Sequence, residues 1–374
     1  MTLRNPDPKG TFLARVQRPG TGPCIARLDG DTLVDITSKT APTMRDLLEL
    51  DDPLAHVRAA EGESFATLAD MGTGGLELLA PCDLQVVKAS GVTFAQSMVE
   101  RVIEEQAAGD PDRAEAIRTR VGRIIGDSLA GLVPGSEKAA EVKKVLQAEG
   151  LWSQYLEVGI GPDAEVFTKC PTLAAVGHGA DVGLHPMSRW NNPEPEVVLA
   201  VTSKGDIVGA TLGNDVNLRD VEGRSALLLG KAKDNNASAS VGPFLRLFDE
   251  TYGMADVESA ELTLTVEGED GYTLNGSSSM SKISRPPASI VGQTIGKHHQ
   301  YPDGFFLYLG TLFAPTEDRD TKGQGFTHKV GDVVTIAEPK LGALTNTVRL
   351  STDCAPWTFG VAALMRNLAQ RGLL

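Results

Sequence analysis

Glu194 and Glu196 stand two residues apart in NNPEPEVVLAVTSKGDIVGATLGNDVNLRD, Asn191 to Asp220, at the mouth of an apolar run that ends at Ser203, Lys204, Gly205 and Asp206. Side chains two apart on a strand share a face, so a strand opened at its edge by Pro193 to Pro195 points both carboxylates the same way. Val197 to Thr202 then forms the outgoing strand, and a two-residue turn at Lys204 and Gly205 sets Ser203 opposite Asp206. In that register Asp215 faces Glu194, and Glu196 becomes their diagonal neighbour on the same face. Three carboxylates crowded into a half-buried place either bind a cation or take up protons. An all-oxygen donor set favours magnesium, manganese or calcium over zinc or copper. Spacing alone leaves a second reading open, a solvated strand end with scattered acids, in a chain with 49 Asp and Glu against 35 Lys and Arg.

The elements that must position these residues follow from the rest of the chain. At 374 residues it can bury a large core, and its length suggests two or three structural units. A formal net charge of -14 argues against a nucleic-acid partner, which requires a basic face. The N-terminal MTLRNPDPKGTFLARV has no apolar core of signal-peptide length and no run is long enough to span a bilayer, so the expectation is a cytoplasmic protein with no membrane partner. Cys24, Cys82, Cys170 and Cys354 are far apart without CxxC or Cys/His spacing, and are expected as reduced thiols.

Short apolar runs broken by Gly, Pro and Asp predict a small strand-rich N-terminal domain over residues 1–85. Within it a helix is expected from Thr43 to Leu50, ended by Asp51, Asp52 and Pro53, and a second over Ser64 to Met71. The pattern turns helical at about 93–155. FAQSMVERVIEEQAAGD is amphipathic, with Glu100, Glu104 and Glu105 expected on a solvated face; Asp110 and Pro111 start a helix carrying Ala114, Ile117, Val121, Ile124 and Leu129; Ser136 opens another. This block reads as an insertion that covers a site on the sheet. From Val158 strands dominate, as in ELTLTV and GFFLYLGTL, which makes the core α+β or β-rich. No GxxxxGK[ST], GxSxG or strand-linked GxGxxG motif is present, against a nucleotide enzyme or a serine hydrolase.

The EPE motif at Glu194 to Glu196, GNDVNLRD at Gly213 to Asp220 and GKAKDNNASASVGPF at Gly230 to Phe244, with YLGT at Tyr308 to Thr311 and GDVVTIAEPKLGALTNTV, together resemble the fumarylacetoacetate hydrolase superfamily over roughly Val158 to Leu350. The resemblance implies an α+β fold with a mixed β-sheet roll, catalytic over residues 86–374, holding one divalent ion (Mg2+, with Mn2+ or Ca2+ as alternatives) on Glu194, Glu196 and Asp215. It also implies a homodimer or homotetramer. Members that cleave a carbon-carbon bond use a His with a carboxylate near the lid, yet no His occurs between His56 and His178. GPDAEVFTK at Gly161 to Lys169, with AKDNNAS and ISR, instead resembles the sugar-acid dehydratase branch, which acts on 2-keto-3-deoxy-pentonates. The implied activity is a cytoplasmic lyase that converts 2-keto-3-deoxy-D-xylonate to 2,5-dioxopentanoate in pentose catabolism (D-xylose degradation).

A 2-keto acid chelates magnesium, which stabilises the enolate left when a C3 proton departs. A base near C3 and an acid near the C4 hydroxyl are needed. The resemblance places these on Lys233 and Glu165 without dividing the roles, and offers Arg219, Thr311 and Lys233 as substrate contacts. Arg219 has a structural alternative in pairing with Asp220 or Glu222, Thr311 is equally a plain strand residue, and Trp190 either walls the pocket or packs before the hairpin. His56, His178, His185, His298, His299 and His328 share no metal-ligand spacing. Two other functions stay open: a hydrolase of 2,4-diketo acids or acylpyruvates, and a non-catalytic, metal-dependent sugar-acid binding protein.

Overall fold

A computed structural model describes residues 3–117, 131–148, 150, 152–311, 315, 317–320 and 325–374. Its strands in chain order are β1 Phe12–Arg18, β2 Gly22–Asp29, β3 Thr32–Asp35, β4 Glu63–Thr67, β5 Glu77–Leu79, β6 Val86–Gly91, β7 Glu165–Cys170, β8 Asp181–Leu184, β9 Pro195–Val201, β10 Ile207–Asp215, β11 Ala239–Leu247, β12 Glu261–Glu267, β13 Thr273–Ser279, β14 Phe305–Tyr308, β15 Val333–Glu338 and β16 Gly342–Leu350. One mixed sheet runs β4-β3-β2-β1-β11-β10-β9-β14-β6-β7, with β5 added on β1, and a second runs β13-β12-β15-β16-β8.

The two sheets pack face to face. Val197, Leu199 and Leu212 of the large sheet share a core with Leu262, Leu264, Ile336 and Leu344 of the small one. The opposite face, with Val198 and Ala200, packs on Leu13, Met44 and Leu47. Strands β9 and β11 are thus buried on both faces, which explains their near-continuous apolar runs, whereas β12 buries one face and alternates as ELTLTV. Strand β9 lies between β10 and β14 rather than at an edge. Pro195 is tolerated there because it is the strand's first residue.

Segment 1–85 continues the large sheet through pairing of β1 with β11, and also has an apolar cluster of its own around Phe12, Val16, Ala26 and Leu78. The helix expected over Ser64 to Met71 is replaced by β4 and one short 3-10 turn at Leu68–Asp70, because Glu63 to Thr67 pairs with β3. Asp52 does more than end a helix: it caps the next one, Pro53–Ala59, accepting from the Ala55 N–H at 2.8 Å.

The helical block is an excursion between two strands that pair with each other, β6 and β7. It comprises helices Ala95–Gln106, Glu137–Ala148 and Gln154–Ile160 and a helical stretch at 111–117. Met98, Val102, Leu146, Leu156 and Ile160 bind them into one cluster. Val121, Ile124 and Leu129 lie outside the described residues. Glu100 and Glu104 do not face solvent; they are 7% and 1% exposed. Among the described residues no helix is long and apolar enough to cross a membrane, and all four cysteines are buried and free.

Candidate metal centre and active site

The β9–β10 hairpin reaches the expected register by another route. Its turn has three residues, since Gly205 N–H donates to Thr202 O at 3.0 Å and Thr202 N–H to Asp206 O at 2.9 Å. Gly205 takes φ +89°, which a side chain resists. This turn pairs Ile207 with Val201, one residue out of step, and a bulge between Ile207 and Gly209 restores the step, so that Gly213 faces Glu196. Asp215 N–H then donates to Glu194 O at 3.1 Å. Gly213 leaves a gap that is used: a Cβ there would fall 2.3 Å from the Tyr308 ring and 2.6 Å from Val198.

Glu194, Glu196 and Asp215 are all buried, and one carboxylate oxygen from each lies within 4.8 Å of the others. Lys233 ends the short helix Leu229–Lys233, and its Nζ donates to Glu194 Oε2 at 2.6 Å and Asp215 Oδ2 at 2.9 Å. Lys231 is exposed. Lys169, on β7, pairs with Asp215 Oδ1 at 2.7 Å and donates to the carbonyls of Lys233 and Val216. Among the described residues, the Glu196 side chain accepts only the Gly310 N–H, at 2.6 Å.

Burial, then Asp215 and Glu194, hold Glu196 well above the usual carboxylate range. Asp215 is held low: burial opposes its charge, but Lys169 and Lys233 outweigh it. Burial likewise opposes the charge of Lys233, and Asp215, Glu194 and Glu222 overcome it and raise its pKa. These donors fit a hard divalent cation: three buried carboxylates converge, and among the described residues one of them, Glu196, forms no ion pair, Lys233 offsetting its charge only in part.

Glu165 opens β7 and lines the same small cavity, of about 20 Å3, with Glu194, Glu196, Asp215, Lys233 and Thr311. Burial, reinforced by Glu222, pushes Glu165 up to about 7. Room for its carboxylate comes from Gly91, where a Cβ would lie 2.0 Å from Glu165 Oε2. A space of this size holds a water or a bare ion. Among the described residues no histidine lines it.

Arg219, expected at substrate, is not among the lining residues. Its guanidinium donates to Glu104 Oε1 at 2.7 Å, Glu100 Oε2 at 3.3 Å and Pro315 O at 2.9 Å, and lies over the Trp190 ring at 4.5 Å. Neither Asp220 nor Glu222, its neighbours in sequence, is its ion-pair partner in these bonds. Trp190 packs beneath that cation rather than lining the cavity.

Three lining or flanking charges escape the sequence reading. Arg101 bonds Glu194 Oε1, Glu104 Oε2 and Glu222 Oε2, and with Glu222 lines the cavity. Its signal is faint: it is the one cation in FAQSMVERVIEEQ, set between two acids on a helix whose Val102 and Ile103 face inward. Lys169 is the third, a fully buried lysine within the motif GPDAEVFTK.

The fumarylacetoacetate (FAA) hydrolase C-terminal family model matches residues 157–349, just over half of the chain. "2-dehydro-3-deoxy-D-arabinonate dehydratase" of Saccharolobus solfataricus is 29% identical over 185 residues, 50% of this chain and 58% of that protein. "Probable 2-keto-3-deoxyxylonate dehydratase" of Haloferax volcanii is 29% identical over 213 residues, 57% and 68% of the two chains. The match thus spans little more than half the length of the first relative. Among solved structures, "2-keto-3-deoxy-D-arabinonate dehydratase complexed with magnesium and 2,5-dioxopentanoate" superposes with TM-score 0.63 at 21% identity, over 91% of this chain and 99% of that one, and supports the fold. The family match contains Glu165, Lys169, Glu194, Glu196, Asp215, Glu222 and Lys233 and ends before β16 does; the chain belongs to the fumarylacetoacetate hydrolase family.

Proposed function

We propose that the protein is a magnesium-dependent dehydratase that converts 2-keto-3-deoxy-D-xylonate to 2,5-dioxopentanoate in cytoplasmic pentose catabolism. The observation that carries this reading is the cavity itself: three carboxylates meet beside Lys233, with Glu165 titrating near neutrality on another wall. The two relatives' names support one substrate. Arabinonate and xylonate differ only at C2 and C3, and both centres vanish in the 2-keto-3-deoxy acid, so the D-compounds named in the two ways are one molecule.

In this reading Glu194, Glu196 and Asp215 hold the ion, and a bound divalent ion supplies Lewis-acid stabilisation of the keto acid's enolate. Glu165 and Lys233 handle the protons. Glu165, poised near neutrality, can take the C3 proton, and Lys233, held protonated by Glu194 and Asp215, can deliver one to the departing C4 hydroxyl. Loss of water leaves a C3–C4 double bond. Shifting a C5 proton to C3 through the dienol then leaves a C4–C5 enol, and transfer of its hydroxyl proton to C4 gives the C5 aldehyde, with one water lost overall. Thr311 lines the cavity, which supports a role for it in orienting substrate oxygens. Arg219 acts through Glu104 and Glu100 rather than on substrate.

The test is purified protein with Mg2+ and 2-keto-3-deoxy-D-pentonate, read by a coupled aldehyde dehydrogenase. Product from the D-acid, lost on chelation and restored by Mg2+ more than by Mn2+ or Ca2+, is expected. No product from either C4 epimer, together with cleavage of acylpyruvates, overturns the proposal. Light scattering on the same sample checks the homodimer or homotetramer that accompanies this reading.

A further inference from the structure

Ile283 to Arg285 lies outside the cavity lining, yet it grips two of the cavity's walls. Arg285 is 4% exposed. Its Nη2 donates to Val158 O at 2.8 Å, Gly161 O at 2.6 Å and Asp163 O at 3.3 Å, and its Nη1 to Pro162 O at 3.3 Å. These carbonyls close helix Gln154–Ile160 and form the turn into Glu165. A cation there answers both the unpaired carbonyls of a helix end and the negative end of its dipole. Gln293 completes the clamp, accepting from Ala164 N–H at 2.6 Å and donating to Pro162 O at 3.4 Å. One residue earlier, Ser284 donates from its N–H and Oγ to Thr93 O, at 2.8 and 2.7 Å. Thr93 in turn donates to Leu309 O at 2.7 Å, next to the Gly310 that holds Glu196.

We propose that Arg285 is a positioning residue for Glu165: its guanidinium fixes the 158–163 turn and so sets the Glu165 carboxylate against the three converging acids. The helix and turn have no other buried cation among these bonds. The guanidinium's hydrogen bonds all go to carbonyls, its desolvation is opposed only in part by the charge of Asp163, and a lysine cannot replace it, because a point charge on a flexible stem cannot reach four carbonyls at once. The inference rests on the proposed role of Glu165.

The experiment combines turnover with amide hydrogen exchange on the full chain. Arg285→Ala is expected to lower kcat about 10- to 100-fold, the cost of misplacing a reacting group by about 1 Å, with magnesium affinity by calorimetry changed less than about twofold. Amides 161–167 should exchange faster while those of β9 and β10 stay protected. Guanidinium ion added to Arg285→Ala should restore part of kcat, and Arg285→Lys should recover little. Should Arg285→Ala fail to fold, Gln293→Ala, which frees the Ala164 N–H and removes one donor from Pro162 O while leaving Arg285 in place, should give a smaller loss of the same kind. Unchanged exchange at 161–167, or loss of magnesium affinity in step with kcat, overturns the inference. Exchange is read without substrate, so it stands even if the dehydratase reading fails. An active Glu165→Gln would remove Glu165's role while the exchange result still reports on the clamp.

Discussion

The β9–β10 hairpin brings acids to the cavity and helix Ala95–Gln106 buries acids behind its own cavity-lining Arg101, and the two hold them by opposite means. In the hairpin, backbone register sets Glu194, Glu196 and Asp215 side by side; Arg101, Lys233 and Lys169 pair with Glu194 and Asp215, but among the described residues no cation pairs with Glu196, whose charge Lys233 offsets only in part. In the helix, Glu104 is matched twice over, by Arg101 three residues before it and by Arg219 from a distant element, and its pKa is held low by them against burial. At Glu196 the hairpin still lacks a paired charge. The helix is already neutralised, as a cover over a site must be if it is to stay docked. The difference teaches that acid burial by itself does not mark a ligand; the absence of a matching cation does.

The strongest way to break this contrast is Glu196→Gln. Removal of one hairpin carboxylate should weaken magnesium binding on the order of 100-fold or more, judged against the smaller losses typical of outer partners. The chelated protein should meanwhile melt higher, because a charge that burial, Asp215 and Glu194 all oppose has gone. Weaker binding with a lower melting point would put Glu196 among ordinary structural acids. Next, Lys233→Ala and Glu165→Gln should each cost roughly 10²–10⁴-fold in kcat, the range for general acid–base groups, with folding intact by circular dichroism. A loss confined to KM would mean that the residue only binds.

On the helix side, Glu104→Gln strips the shared partner of Arg101 and Arg219 and should cost about 3–5 kcal/mol in urea unfolding while magnesium affinity holds. If it weakened magnesium more than stability, the helix would belong to the ion site. Acidity separates the two regions further. Glu165 sits at about 7 in the folded chain, above the ordinary carboxylate value of about 4.3 in the unfolded one, so the folded state binds the extra proton between those values. Stability from this group is therefore lost as pH rises through that window. Glu165→Gln should raise the melting point of chelated protein at pH 8 and lose most of that gain at pH 5. The smallest effect belongs to the turn: Gly205→Ala, at φ +89°, should cost about 1–2 kcal/mol and leave magnesium affinity unchanged.

These contrasts also explain what could be read before any coordinates. Glu194, Glu196 and Asp215 were legible because two strands and one turn decide their geometry, all within Asn191 to Asp220. Even so, the register came from a three-residue turn plus a bulge, two departures that cancel, and period-2 reasoning has no means of seeing either. The sheet's mixed order was likewise out of reach, since β14 sits between β9 and β6, far from it in the chain. Glu100 and Glu104 were misplaced onto solvent because the cation that admits them, Arg219, stands 115 residues from Glu104. Helical spacing puts acids on a face; it does not reveal what that face meets. Arg285 was visible only as part of a motif, and its four carbonyl partners carry no side-chain signal at all.

Gly213 lies beneath the Tyr308 ring, whose hydroxyl donates to Ser240 O at 2.6 Å. Its missing Cβ ties two strands together in evolutionary time as well as in space. Neither position can drift alone: any side chain at 213 collides with the ring, and shrinking the ring opens a void under the acids and frees a carbonyl. Among relatives, therefore, a larger residue at the 213 position should arrive together with smaller ones at 308 and 198, and lineages that keep the tyrosine should keep the glycine.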